Sequence, residues 1–323
     1  MLKKLINWFE RANKVLIIFH ESPDGDAIAS SLALGRILEK IGKKVDFACR
    51  DEIPEIFYFI PEIDRVNKDF ILGDYDLVCV IDCGDARRTG FPERLREFSK
   101  KQKKLVNIDH HLKNDLHKIA NLNFVDDKAA ASAELIYRII SEMGIAIDKY
   151  LSTLLLTGLY TDTGGFQHSN TSPQVYGLAS KLLANGASLN KISKNIALNR
   201  KLATLKLWGL AMARVYKNRW GMAISYIKQD DLKKLCATLD DAAGIVNVIN
   251  SIPDANIAIL FTELPEGKIK ASVRTESSDI DVSVFANYFG GGGHKKASGF
   301  SLDGEIRQLS ETCWTVDQKA QIC

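Results

Sequence analysis

VLIIFHESPDGDAIASSLALGRILEKIG (15–42) decides how the first half of the chain is read. Val15 to Phe19 is an unbroken apolar run that stops at His20. Such a run suits a strand covered on both faces, as in a parallel sheet. Pro23-Asp24-Gly25-Asp26 is turn chemistry. Apolar residues at helical spacing then fill 27–42 and stop at Gly42, a natural C-cap. Strand, polar loop and helix make the repeating unit of an α/β sheet, whose ligands gather beyond the carboxyl ends of the strands. His20, Asp24 and Asp26 are therefore expected at one site, on a loop that opens a helix and so favours anions.

The same pattern continues outward. KVDFAC (44–49), DLVCVID (76–82) and KLVNID (104–109) read as further strands. Residues 3–13, 92–101, 131–144 and 151–164 read as helices. Alternation of this kind predicts an α/β domain with a parallel sheet. Residues 173–215 read as mostly helical, broken at Asn185-Gly186. From Trp220 the style changes: strands at 220–227, 255–264 and 268–275, helices at 231–240 and 242–252. The expected organisation is a domain over 1–188, a helical connector over 189–216 and a smaller α/β domain over 217–323.

Composition narrows the class. Of 323 residues, 46% are hydrophobic and 26% charged, ordinary values for a soluble protein. A formal net charge of +3 tolerates a small polyanion but argues against a broad duplex-DNA footprint. The six cysteines (49, 79, 83, 236, 313 and 323) form no C-x-x-C pair, so no zinc or redox motif is readable. Cys79 and Cys83 fall in or beside an apolar strand and read as small buried thiols. No apolar run approaches the roughly 20 residues needed to span a bilayer. MLKKLINWFERANK (1–14) lacks the uninterrupted apolar stretch of a signal peptide. The expectation is a soluble, cytoplasmic protein with no membrane partner.

The chemistry lies at the strand ends. Asp82 closes one apolar strand, Asp109-His110-His111 closes another, and Asp162 follows an apolar helical run. With His20, Asp24 and Asp26 they would crowd carboxylates that repel one another unless cations neutralise them. The set is large enough for two ions, which sit about 3.5–4 Å apart in two-metal hydrolases. Mixed oxygen and nitrogen donors fit Mn2+, with Mg2+ or Co2+ as alternatives, and no thiolate cluster speaks for zinc.

A second cluster sits near the other end. In Gly290-Gly291-Gly292-Gly293-His294, the glycines can turn backbone N–H groups toward an anion. The run follows a helical DVSVFANYF and precedes ASGF, the setting of a structured loop. His294 and Lys295 add donors, and Arg274 adds a bidentate phosphate grip. Ser132 reads as the N-cap of its helix. Arg87 and Arg88 read equally as an exposed basic turn or a phosphate contact, and His117 and His168 as surface residues.

Taken in order, HESPDGD (20–26), IDCGD (81–85), DHH (109–111), GLYTDTGGF (158–166) and GGGGH (290–294) make the chain resemble the DHH family of phosphoesterases, with a DHHA1 substrate-binding domain at the end. The resemblance runs from about residue 14 to 302; the tail beyond Leu302 departs from the family pattern. It implies an active site in the cleft between the two domains. His20, Asp24 and Asp82 would hold one metal; Asp26, Asp82, His110 and Asp162 the second. Asp109 would orient the cluster and His111 face the substrate phosphate as the catalytic pair. Gly291, Gly292, Gly293, His294 and Arg274 would bind substrate. The implied function is that of a nano-RNase, an exonuclease that degrades short RNA or DNA oligonucleotides to mononucleotides and converts 3′-phosphoadenosine 5′-phosphate to AMP. Related enzymes are often homodimers. The rival readings are a phosphodiesterase for cyclic di-AMP or linear dinucleotides, a long-strand exonuclease, a family II inorganic pyrophosphatase and a non-catalytic nucleotide sensor. A sensor should have lost ligands, and every expected ligand position is filled.

Overall fold

The computed structural model describes residues 1–101, 104–111, 115–198, 200–293, 295–308 and 314–318. The chain divides into two compact units, Met1–Asn199 and Arg200–Cys323.

In the first unit the elements run α1 (Leu2–Arg11), β1 (Lys14–Phe19), α2 (Gly25–Lys40), β2 (Lys44–Ala48), β3 (Val66–Asn67), β4 (Leu77–Ile81), α3 (Pro92–Lys100), β5 (Lys104–Asp109), α4 (Leu116–Ile119), β6 (Leu122–Val125), α5 (Ser132–Glu142), α6 (Lys149–Asp162), α7 (Pro173–Ala184) and α8 (Leu189–Ser193). The strands form one parallel sheet in the order β3-β2-β1-β4-β5-β6. Alternate residues of each strand feed two cores. Val15, Ile17 and Phe19 of β1, with Cys79 and Ile81 of β4, pack under α1, α2, α5, α6 and α7. Leu16, Ile18, Val78 and Val80 pack under α3 and α4. Helices on both faces explain why these strands are unbroken apolar runs rather than alternating ones. The strand order turns about between β1 and β4, the position where doubly wound sheets open a crevice for ligands.

Four strands were predicted here and six are present among the described residues. β3 is two residues long and β6 (LNFV) four, too short for either to stand out as a strand.

The second unit runs α9 (Leu202–Ala213), β7 (Tyr216–Lys217), β8 (Met222–Ile227), α10 (Gln229–Leu235), α11 (Ile245–Asn250), β9 (Ile257–Leu264), β10 (Lys268–Arg274), α12 (Val282–Tyr288), β11 (Gly292–Gly293), β12 (Ala297–Gln308) and β13 (Trp314–Gln318). Its sheet is mixed, in the order β11-β12-β10-β9-β8-β7 with β13 beside β12. β8 and β9 are parallel and the other pairs antiparallel. The stretch read as a connector is shared between the units. Ile192 of α8 is buried in the first unit's larger core, and Leu207 and Ala211 of α9 are buried beneath β8 and β9. Part of the tail that departs from the family pattern is strand: β12 runs on to Gln308, and β13 pairs with it through Gly304↔Gln318 to Gln308↔Trp314.

Candidate active site

Each acidic group reaches the rim through a different local device. His20 follows the last residue of β1, and its Nδ1 lies 2.7 Å from the Glu21 carbonyl. Asp24 is the N-cap of α2 and accepts from the amides of Asp26 and Ala27, each at 3.1 Å. Asp26 sits in the first turn of α2, fully buried. Asp82 leaves β4 with φ of +57°, a costly conformation for a residue with a side chain. Its amide is held by the Ile108 carbonyl at 3.0 Å. Asp109 ends β5 and Asp162 ends α6.

The side chains converge. His110 Nε2 lies 3.1 Å from Asp162 Oδ2 and 3.3 Å from Asp82 Oδ1. His20 Nε2 lies 3.6 Å from Asp24 Oδ2. His20, Asp24 and Asp82 can each offer a donor atom within 4.8 Å of the others, and so can Asp26, His110 and Asp162. A third group, Asp82, His110 and His111, meets the same limit. It is the weakest, because His111 Nδ1 is already engaged by Asp109 Oδ1 at 2.7 Å.

Backbone carbonyls assign two tautomers. His20 Nδ1 faces the Glu21 carbonyl and His110 Nδ1 the Ala129 carbonyl at 3.3 Å. A carbonyl only accepts, so each Nδ1 carries a hydrogen; each Nε2 faces the carboxylates, donating to them when the ring is protonated and free to give its lone pair to a cation when it is not. Imidazoles backed in this way are the usual arrangement of metal ligands.

The electrostatics show the cost of this crowding. Burial, and then the charges of Asp82 and Asp162, push the Asp26 carboxyl well above its usual range. Burial raises Asp162 to about 6, with the neighbouring Asp24 and Asp82 adding to it and His110 opposing. His110 is raised well above 6.5: burial disfavours the imidazolium, but the hydrogen bonds to Asp162 and Asp82 prevail. Asp109 behaves in the opposite way. Its burial is outweighed by the His111 ring and the amides of His111 and Gly84, and its carboxyl falls to about 2.

Ser132 was read as a helix N-cap and is not one: the cap position is Ala131, with no side-chain bond. The amides at the start of α5 are satisfied by Asp26, which accepts from Ser132 N and from Ala133 N (3.0 Å). The Ser132 hydroxyl is thereby released to donate to Asp82 Oδ1 at 2.9 Å. No signal in the sequence marks this, because the partners are 106 and 50 positions away. His168 is exposed.

In the second unit, Arg274 ends β10 and is partly buried. Its Nε donates to Asn247 Oδ1 at 3.2 Å and its Nη1 to the Val273 carbonyl at 2.9 Å. No carboxylate pairs with it among the described residues, and burial alone lowers its pKa. The glycine run is held in place: Gly292 and Gly293 form β11 on the edge of β12, paired with Gly299 and Ser298. A Cβ on Gly291 would lie 2.2 Å from the Gly299 carbonyl oxygen, so glycine is needed there for close backbone approach. His294 lies outside the described residues.

Buried and half-buried aspartates and histidines, with Asp24 exposed beside them, gather at the switch point of a doubly wound parallel sheet, a donor set suited to divalent cations and metal-dependent hydrolysis. Residues 14–159 match the DHH family, N-terminal domain, and residues 222–320 match the DHHA1 domain. The chain belongs to the DHH family of phosphoesterases and carries a DHHA1 domain.

Among curated proteins it is similar to the "bifunctional oligoribonuclease and PAP phosphatase NrnA" of Thermus thermophilus, at 28% identity over 292 residues, 90% of this chain and 84% of that one. Among solved structures, an exopolyphosphatase-related protein from Bacteroides fragilis superimposes with a TM-score of 0.86, at 26% identity over 93% of this chain and 90% of that one. RecJ from Thermus thermophilus, solved in complex with Mn2+, shares the fold with a TM-score of 0.54, at 14% identity over 94% of this chain and 51% of that one. No helix among the described residues is long and apolar enough to cross a membrane.

Proposed function

We propose that this protein hydrolyses short oligoribonucleotides to mononucleotides, and 3′-phosphoadenosine 5′-phosphate to AMP, with two divalent cations bound at the rim. The observation that carries the reading is the pair of donor groups, His20 with Asp24 and Asp82, and Asp26 with His110 and Asp162. Asp82 lies 3.3 Å from His110 as well and would serve both ions. The donor chemistry fits: carboxylates that repel one another when empty, and imidazoles fixed through Nδ1 with Nε2 toward those carboxylates. Oxygen and nitrogen donors suit Mn2+ best, with Mg2+ or Co2+ as alternatives. Bound cations supply Lewis acidity and lower the pKa of water.

The protein's own groups do the rest. Asp109 holds the His111 ring by Nδ1, and His111 turns Nε2 to the substrate phosphate, where charge gathers in the transition state. Arg274, lacking a carboxylate partner among the described residues, and the amides of Gly292 and Gly293 would take a second phosphate, whereas the Gly291 amide, expected to join them, already donates to the Ala286 carbonyl at 2.9 Å. His294 is assigned to the same task from the sequence. The name of the Thermus relative supports both substrates. The buried free thiols of Cys49, Cys79 and Cys83 suit a reducing cytosol.

The test is a time course with Mn2+ on 5′-labelled RNA of two, five and twenty-four nucleotides, with cyclic di-AMP and 3′-phosphoadenosine 5′-phosphate alongside. An Asp109→Ala, His110→Ala double variant is the control. Rapid loss of the two shortest RNAs, absent in the variant, supports the reading. Preference for the long RNA, or consumption of cyclic di-AMP with accumulation of the linear dimer, overturns it.

A further inference from the structure

Arg88 belongs to the short turn Arg87–Thr89 that follows the Asp82 loop. Its neighbour Arg87 is tied to Asp85, Nε to Oδ1 at 3.2 Å. Arg88 is held by its backbone instead: its carbonyl accepts from the Glu21 amide at 2.6 Å, joining the Asp82 loop to the loop that carries His20 and Asp24. Its guanidinium is exposed and has no carboxylate in ion-pair range among the described residues.

That guanidinium is nonetheless aimed at the rim. Gly84 has no side chain, and the space a Cβ would fill there is bounded by His111 ring carbons at 3.2 and 3.3 Å and by Arg88 Nη1 at 3.4 Å. The imidazole and the guanidinium therefore close on one gap, two residues after Asp82. The positive charge of Arg88 is also felt at His20 and Asp24. An arginine with five N–H donors, beside a carboxylate rim and paired with none of it, has its hydrogen-bonding capacity left for an anion.

We infer that Arg88 grips a non-bridging oxygen of the phosphate under attack, alongside His111. Its fork geometry matches two phosphate oxygens, which a lysine's point charge does not. Glycine at 84 lets the His111 ring and the Arg88 guanidinium draw together over the backbone of the Asp82 loop, so that both can reach one phosphate. Arg88 is thus a contact of the reacting group itself, distinct from the grip assigned to Arg274. The inference rests on the phosphoesterase reading above.

The test compares wild type, Arg88→Ala and Arg88→Lys as full chains loaded with Mn2+. Turnover is measured on a 5′-phosphorylated diribonucleotide and on 3′-phosphoadenosine 5′-phosphate. Metal content and the inhibition constant of inorganic phosphate are measured in parallel. We expect Arg88→Ala to lose roughly ten- to a hundredfold in kcat/KM on both substrates, the size of a charge-assisted contact. Phosphate inhibition should weaken with it, metal content should stay at the wild-type level, and added guanidinium should restore part of the rate. Arg88→Lys should fall between. If Arg88→Ala keeps rate and phosphate affinity within twofold, or loses its metal, Arg88 is not a phosphate contact. If the wild type turns over neither substrate, the phosphoesterase reading falls and this inference with it.

Discussion

Ser132 presents its backbone amide to the buried carboxylate of Asp26, 106 positions earlier in the chain. A helix start that would ordinarily need its own cap is capped by a carboxylate of α2. This leaves the Ser132 hydroxyl for Asp82. One residue thus braces two carboxylates of the cluster, on two different elements.

Ser132→Ala removes only the hydroxyl, because the amide contact to Asp26 survives. Asp82 loses the donor that orients Oδ1. Groups that orient metal-binding side chains typically change metal affinity by about 10- to 100-fold. We expect Mn2+ binding to weaken by about tenfold, with a stability loss of about 1 kcal/mol. Calorimetric titration of the chelator-stripped protein measures the first, and wild-type affinity in the variant would refute the bracing role.

Metal removal should invert the pH dependence of stability. Without cations, the folded-state pKa of Asp162 is about 6 and that of Asp26 is also raised, both above their unfolded values. Such groups stabilise the fold below the unfolded pKa, near 4, and lose that contribution as pH rises through the folded value. His20 and His110, also raised, act in the same direction. Asp109, lowered to about 2, works the other way only below about pH 4. Stripped protein should therefore gain stability from pH 7 to 5, by about 1 kcal/mol from Asp162. Metal-loaded protein should lose it, because protons compete for the same oxygens. Melting curves with EDTA and with Mn2+ decide this, and Asp162→Asn should flatten the EDTA series.

Asp109→Asn tests the orienting pair. The carboxylate accepts from Gly84 N at 2.8 Å on one oxygen, and from His111 N and Nδ1 on the other. An amide has a single acceptor oxygen, so one of these ties must break and the ring loses its negative partner. By analogy with other carboxylate–histidine pairs we expect kcat to fall by about 10²- to 10³-fold. Neither donor group around the expected ions includes Asp109, so metal content should hold. A kcat within fivefold of wild type would show that Asp109 does not act through His111.

The rim was legible because its residues sit where strands stop. Apolar runs ending at His20, Asp82 and Asp109 place those side chains at one edge whatever the helices do. What joins the rim was not legible. The bonds from Ser132 to Asp26 and Asp82 depend on how α5 packs against α2, which no local pattern encodes. In the second unit, β12 escaped notice because glycines at 299 and 304 interrupt its strand pattern. It stays extended because β10 pairs with it over Lys268–Arg274 and β13 takes up its far end.

The glycine run offers the sharpest contrast of all, because its members have different reasons to be glycine. A Cβ on Gly291 would sit 2.2 Å from the Gly299 oxygen and 2.5 Å from Phe300 Cβ. A Cβ on Gly292 would meet nothing nearer than Asn287 Oδ1 at 3.7 Å, in the range of ordinary contact. Gly291→Ala must therefore push β11 away from β12, where Phe300 packs among Val273, Val282 and Ala286. We expect a loss of about 3 kcal/mol or more, the range of overpacked sites. Gly292→Ala should cost less than about 1 kcal/mol, the ordinary price of a substitution without a clash. If the amide of Gly292 holds phosphate, this second variant should still raise KM for 3′-phosphoadenosine 5′-phosphate, because the methyl crowds the anion. Denaturant midpoints separate the two variants, and KM separates packing from binding. Equal stability losses would mean that close approach to β12 is not what demands glycine at 291. An unchanged KM in Gly292→Ala would remove that amide from the substrate site.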